Sequence, residues 1–266
     1  MKTARTATLP STILKSLAQL QDGLNGMIDS SWRTVRTLDN WSLAIVMEST
    51  ELMDSYPWKW WKNIAAQPDF ANVKIELVDI LHFSLSGTMQ LQSCERSVVP
   101  AIAGKKVSEV FTPFTPSPAP TTLKTAVEGT IFFPLSDTPN AIASFRNVIQ
   151  LANAYRFDLI TESVISAAED LDFNLVAYYV AKHTLNCIRQ LGGYKSGTYV
   201  KVNKGVEDNV LLHDCIKGIT VEEVLDEKTY LTMWNTIVMR VYEAFQVPEA
   251  DRKDVNHWIA VSEGSK

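Results

Sequence analysis

Residues 47–84 read MESTELMDSYPWKWWKNIAAQPDFANVKIELVDILHFS, and the reading of this stretch decides the fold. It carries two acidic pairs, Glu48 with Glu51 and Glu76 with Asp79, each with the second acid three residues after the first. On a helix that spacing places both acids of a pair on one face. Around the second pair, Ile75, Leu77, Val78, Ile80, Leu81 and Phe83 supply apolar surface nearly all round, which predicts a buried helix. Aspartate and glutamate are almost never fully buried without partners. Converging carboxylates repel one another and are costly to desolvate, so a bundle that buries them needs cations.

Outward from the pairs, Asp39 is the expected N-cap of the first acidic helix, which carries Trp41, Leu43, Ala44 and Met47 and must end near Tyr56 because Pro57 disfavours α geometry before it. The second acidic helix is expected from about Asn72 to beyond Ser86. Between them, Pro57-Trp58-Lys59-Trp60-Trp61-Lys62 sets three indoles among two lysines. Tryptophans fill cores or interfaces, with lysine stems covering them, and they also wall pockets against planar bases. Both readings stay open here. His82, one turn beyond Asp79, reads as a satisfied core histidine.

The remaining periodicity is helical. Ser11 caps a helix over Thr12 to Ile28 with an apolar stripe of Leu14, Leu17, Leu20, Leu24 and Met27. Gln21 and Asn25 form a polar pair beside that stripe, and this segment by itself predicts them solvent-exposed. From 93 to 130, Pro100, Pro113, Pro116, Pro118 and Pro120 interrupt the pattern, predicting a proline-rich insert between helices and a mobile sub-region of one domain spanning 1–266. IFFPL at 131–135 is a short β-like run, weakened by Pro134. Thr138-Pro139 starts a helix over Ala141–Tyr155, followed by helices over Asp158–Leu171 and Asn174–Leu191; three helices with short joints predict an antiparallel bundle. Gly192 to Gly197 closes the third. A short helix is expected at Val221–Leu225 and peripheral ones at Lys228–Phe245 and Glu249–Val261. The expected fold class is all-α.

Composition narrows the function. The chain has 266 residues, 46% hydrophobic, enough for a well-buried core. A net charge of −5 argues against direct nucleic-acid binding, which calls for a basic surface. Cys94, Cys187 and Cys215 are odd in number and unpatterned, as in a reducing compartment without a disulfide framework or zinc cluster. No apolar run approaches the ~20 residues of a membrane span. MKTARTATLPSTILK lacks the continuous apolar stretch of a secretory signal. Cytoplasmic or nuclear residence is expected.

Carboxylates without cysteine form a hard-oxygen site, suited to Mg²⁺, with Mn²⁺ as a substitute. Far along the chain, Lys182, Asn186 and Arg189 fall on one helix face. Lys195, Lys201 and Lys204 follow, with Tyr194 and Asn203 as hydrogen-bonding groups. An acidic half and a basic half of this kind suit a metal–polyphosphate ligand. The plainer readings are a solvated face for Lys182 and Arg189 and a surface salt-bridge row for Glu48 and Glu51; two acid pairs on neighbouring apolar helices favour metal. Gly192 to Thr198 is no Walker loop, since it lacks the lysine before the hydroxyl residue and follows a helix.

The two acidic pairs, the tryptophan-rich stretch between them and the later segment KHTLNCIRQLGGYKSGTYVKVNKG resemble the dimeric all-α dUTPases, especially the trypanosomatid members, which are related to the all-α NTP pyrophosphatases. The resemblance covers nearly the whole chain. It implies a homodimer that hydrolyses dUTP, and also dUDP, to dUMP and so keeps uracil out of DNA, with Mg²⁺ on Glu48, Glu51, Glu76 and Asp79. It implies water attack on the β-phosphorus, with Glu48 activating the water. It places Lys182, Arg189, Tyr194 and Lys201 on the phosphates, with Asn203 also at the substrate. It places Asn186, Gln21 and Asn25 on the uracil edge, and Trp61, His82 and Phe83 against the base or a ribose 2′-hydroxyl. Amide side chains read uracil or cytosine in either orientation, so the residues alone reach a deoxynucleotide pyrophosphatase and the resemblance selects dUTP. The rivals are a house-cleaning dNTP pyrophosphatase acting on dCTP or damaged bases, and a ferritin-like di-iron protein. For the latter, Asp79 and His82 give one near-match to the required Glu-x-x-His pairs.

Overall fold

The computed structural model describes residues 9–95, 131–203, 205–216, 219 and 227–264. The proline-rich insert, from residue 96 on, and the short helix expected at 221–225 lie outside the described residues. The fold is all-α: α1 (Ser11–Ile28), α2 (Trp32–Val35), α3 (Leu38–Asp54), α4 (Phe70–Glu95), α5 (Thr138–Asn153), α6 (Phe157–Asp170), α7 (Leu175–Leu191), α8 (Asp208–Ile216), α9 (Glu227–Ala244) and α10 (Val255–Gly264). A two-residue antiparallel hairpin, β1 (Val202–Asn203) with β2 (Val206–Glu207), precedes α8. Among the described residues no helix is long and apolar enough to cross a membrane.

The chain divides into two compact units, one holding Arg33–Phe173 and the other Thr12–Trp32 with Asn174–Lys266. In the first, α3 packs on α4 and α5, and α4 packs on α6. Val73, Leu77, Val78, Ile80, Leu81 and Leu85 of α4 are buried, as its apolar surround requires. α4 and α6 meet closely at Gly87: a Cβ there would stand 2.7 Å from ring carbons of Phe157, which is itself fully buried. Gly87→Val is therefore expected to cost about 1–3 kcal/mol by overpacking, read as a lower urea midpoint at unchanged slope.

Caps correct several sequence boundaries. Thr37, not Asp39, caps α3: its hydroxyl accepts from the Asn40 amide at 3.4 Å while the Asn40 side chain accepts from the Thr37 amide at 2.9 Å. Asp39 instead sits in the first turn, where an acid suits the helix dipole, and accepts the Tyr155 hydroxyl. The α3 helix ends at Asp54, ahead of Pro57 as expected. α4 starts two residues early because the Asp69 carboxylate takes the Asn72 amide at 3.1 Å. IFFPL forms no strand. The Phe132 amide donates to the Ser144 hydroxyl at 2.6 Å and the Leu135 amide to the Asp170 carboxylate at 2.7 Å, so side chains satisfy this backbone where Pro134 has no N–H to give. The expected helix at Glu249–Val261 is split into a 3₁₀ turn at Glu249–Asp251 and α10, because Asp254 caps afresh on the His257 amide at 2.8 Å.

The expected three-helix run also divides. The α5 and α6 helices pack together, but α7 packs on α8 and α9 in the second unit. Asp172, at φ 49°, turns the chain after α6 before Asn174 caps α7 by accepting the Ala177 amide at 3.0 Å. The α7 helix is buried on nearly every side, so a short joint does not decide which neighbours it takes. In the Gly-rich turn after α7, Gly193 at φ 84° is indispensable: a Cβ would lie 2.0 Å from the Thr198 hydroxyl.

Candidate active site

The first unit gathers the acids. Packing of α3 against α4 brings carboxylate oxygens of Glu48, Glu76 and Asp79 within 4.8 Å of one another. Glu76 is buried, and Glu48 and Asp79 are half-buried. Glu51, the fourth predicted ligand, is exposed and stands outside this group, although its charge still reaches Glu48. Spacing of three residues shares a face but not a depth.

Burial, then the charge of Asp79, a hydrogen bond with Glu76 and the charges of Glu76 and Glu51 push the Glu48 carboxyl up to about 9. Without a cation, then, Glu48 is held as the neutral acid beside ionisable neighbours, because the acids cannot all be charged in so small a volume. A divalent ion would remove that repulsion, and an oxygen-only donor set suits a hard one. The residues present fit such an ion.

The aromatic candidates divide. His82 is 3% exposed, as the core reading expects. Phe83 is half-buried, with its ring 6.4 Å from that of Trp41. The tryptophan run is not core: Trp60 is 81% and Trp61 56% exposed, and Trp61 stands edge-on to both Trp58 and Trp60 at 5.8 and 5.5 Å. The loop holding them is pinned at its base, where the Asp69 amide donates to the Ser55 carbonyl and the Asn72 side chain to the Ser55 hydroxyl, both at 2.8 Å. Lys59 pairs with Asp54 at 2.6 Å and lies over Trp58, covering an indole as lysine stems do.

The second unit gathers the cations and amides. Gln21 and Asn25 are 3% and 4% exposed, so the expectation of solvent exposure is wrong. The Gln21 amide donates to Asn25 at 3.0 Å, and the Tyr179 hydroxyl donates to Gln21 at 3.1 Å. Buried amides persist when hydrogen-bonded, and Tyr179, distant in sequence, supplies the bond. Lys182 and Arg189 are likewise buried, 2% and 8% exposed, which excludes a solvated helix face. Lys182 donates to Asn209 at 3.0 Å. Arg189 donates to both oxygens of Asp208, at 2.8 and 2.7 Å, and more weakly to Asn186 at 3.4 Å. Lys201 and Tyr194 are exposed, and the Tyr194 ring lies 5.7 Å from the Lys201 ammonium and 5.8 Å from the Arg189 guanidinium. Asn203 lies in β1.

Sequence reasoning missed Asp208, Asn209, Tyr199 and Tyr179. The Tyr199 hydroxyl donates to Asp208 at 3.1 Å. Burial raises the Asp208 carboxyl, but the hydrogen bonds and charge of Arg189, with Tyr199 and Lys182, outweigh it and hold the group below its usual value. No periodicity links Arg189 to a carboxylate beyond a hairpin; Asp208 opening a helix was the available signal.

All-α architecture with a carboxylate cluster fit to gather a divalent ion defines a class, the helical carboxylate-site proteins, which takes in nucleotide hydrolases and di-iron proteins alike. Within that class the family is shown by sequence: a family model described as dUTPase matches residues 13–194, a span containing the acidic pairs and all of α7. The chain belongs to the all-α dUTPase family and is a dUTP diphosphatase. No curated protein matches it.

Proposed function

We propose that the chain hydrolyses dUTP to dUMP and pyrophosphate, and dUDP to dUMP and phosphate, with Mg²⁺ held by Glu48, Glu76 and Asp79 and joined by Glu51. Mn²⁺ substitutes. The observation that carries this reading is the gathering of the Glu48, Glu76 and Asp79 carboxylates within 4.8 Å of one another, since carboxylates so placed call for a cation. When bound, the ion neutralises phosphate charge and lowers the pKa of a coordinated water. Glu48, ionised once the site is charge-balanced, takes the proton of the attacking water. The water oxygen bonds to the β-phosphorus, and the bridge to the α-phosphate breaks with its electrons leaving on dUMP. Lys182, Arg189, Lys201 and Tyr194 take the phosphate chain and steady its shifting charge. Asn186, Gln21 and Asn25 read the uracil edge; the amide pair's mutual bond supports this, because fixed donors and acceptors discriminate better than free ones. Asn203 also contacts substrate. Trp61 and Phe83 pack on the base, and His82 supports that wall from the core.

The family match runs through α1, the acidic helices and α7, and so draws on both compact units. That supports reading 1–266 as one dUTPase domain. We place it as a homodimer in the cytoplasm or nucleus, acting on a free nucleotide and not on nucleic acid or a membrane.

The test is turnover of dUTP, dUDP, dCTP, dTTP and UTP with Mg²⁺ in H₂¹⁸O. dUTP is expected to be the fastest triphosphate, giving dUMP with the label in pyrophosphate. Faster turnover of dCTP, dTTP or UTP would sink the dUTP assignment, and label in dUMP would place the attack at the α-phosphorus.

A further inference from the structure

We infer that Asp208 is a positioning residue for this reaction, orienting Arg189 directly and, with its neighbour Asn209, setting Lys182 beside it. The inference rests on the reading in which Lys182 and Arg189 take the phosphate chain. Asp208 is 4% exposed, and both its oxygens are engaged. Oδ1 accepts from Arg189 Nη2 at 2.7 Å, and Oδ2 accepts from Arg189 Nε at 2.8 Å and from the Tyr199 hydroxyl at 3.1 Å. A two-point pairing on the Nε–Nη2 edge fixes the plane of a guanidinium, which a single bond does not. The opposite nitrogen, Nη1, is thereby turned toward Asn186.

Asn209 extends the arrangement. Its side-chain oxygen accepts from Arg189 Nη2 at 3.2 Å and from Lys182 Nζ at 3.0 Å, so one amide sets the spacing of two buried cations. Lys182 and Arg189 carry two positive charges against the one on Asp208. That lessens their repulsion in the ligand-free protein and leaves an excess for a polyphosphate to match. The backbone ties the parts together: the Asp208 amide donates to the Lys201 carbonyl at 2.9 Å across the hairpin, and Lys201 and Arg189 both lie against the Tyr194 ring. Asp208 is held ionised, with its oxygens occupied, so it serves as an anchor and not as a base.

The test is dUTP kinetics of the full chain at saturating Mg²⁺ for Asp208→Asn, Tyr199→Phe, Arg189→Met and the Arg189→Met/Asp208→Asn double variant, with melting curves alongside. Losing a charged hydrogen-bond pair is expected to lower kcat by about 10–100-fold in Asp208→Asn, with KM moving less than about threefold. Adding Asp208→Asn to Arg189→Met is expected to cost less than about threefold more, because the carboxylate acts through that arginine. Tyr199→Phe, which removes one bond to Asp208, is expected to lower kcat about three- to tenfold with unchanged melting. Wild-type kcat in Asp208→Asn, or losses that multiply in the double variant, would overturn the inference; should Asp208→Asn fail to fold, wild-type kcat in Tyr199→Phe would do so. Wild-type kinetics in Arg189→Met would instead refute the phosphate role itself, so the two failures are distinguishable.

Discussion

Glu48→Gln is expected to lower dUTP turnover by about 10²-fold or more while the protein folds and melts at no lower temperature than the wild type. Both halves follow from the same crowding. Burial and three neighbouring acids hold Glu48 as the neutral acid in the metal-free protein, so a neutral amide of equal size replaces it without losing a charge the fold uses. Turnover needs the ionised form, which glutamine cannot supply. Linkage gives the sign of the accompanying stability change. A folded-state value near 9, above the ordinary 4.5, means that the folded protein keeps a proton that the unfolded chain releases. The contribution of Glu48 is thus full below about pH 4.5 and is lost as pH rises through about 9. Buried His183, pushed down to about 4, works the opposite way: it costs stability as pH falls from 6.5 toward 4. The Glu48 effect is therefore read between pH 7 and 9, where the metal-free wild type is expected to melt progressively lower and Glu48→Gln to stay level. Near-normal turnover in a folded Glu48→Gln protein would refute the mechanism.

Mg²⁺ affinity is expected to rise with pH by up to about tenfold per unit below pH 9, or about 100-fold from pH 6 to 8, because the ion displaces the proton on Glu48. Calorimetry in buffers of different ionisation enthalpy counts that proton, and about one should be released per ion. Glu48→Gln is expected to bind Mg²⁺ weakly and with little pH dependence. Affinity that is level across this range in the wild type would show that the acids are not the ion's ligands.

Three of the four acids of the candidate site come together as read, because helical spacing and an apolar surround are local signals. Two pairs of acids within α3 and α4 can be read without knowing what the helices pack on. What spacing does not report is depth, which is why Glu51 is exposed while Glu76 is buried. The amides and cations were legible as residue types on a face but not in their surroundings. Gln21 looked solvent-facing because Tyr179, which bonds it, stands 158 residues on. The surroundings of Arg189 are hidden from the sequence for a similar reason, its partner Asp208 lying beyond a hairpin that no period announces. Among the elements, Asn174 caps α7 where the sequence starts that helix, Asp137 caps α5 one residue before the expected start at Thr138, and IFFPL, β-like in composition, is tied down by Ser144 and Asp170. The division of α7 from α6 depends on which apolar faces meet, a tertiary matter that joint length does not encode.

The most direct measurement of the central claim is dUTP turnover by the chelator-treated protein, with and without restored Mg²⁺. No turnover is expected without the ion and, on its return, dUMP and pyrophosphate in equal amounts. Undiminished turnover in the presence of excess chelator would contradict a metal-dependent mechanism.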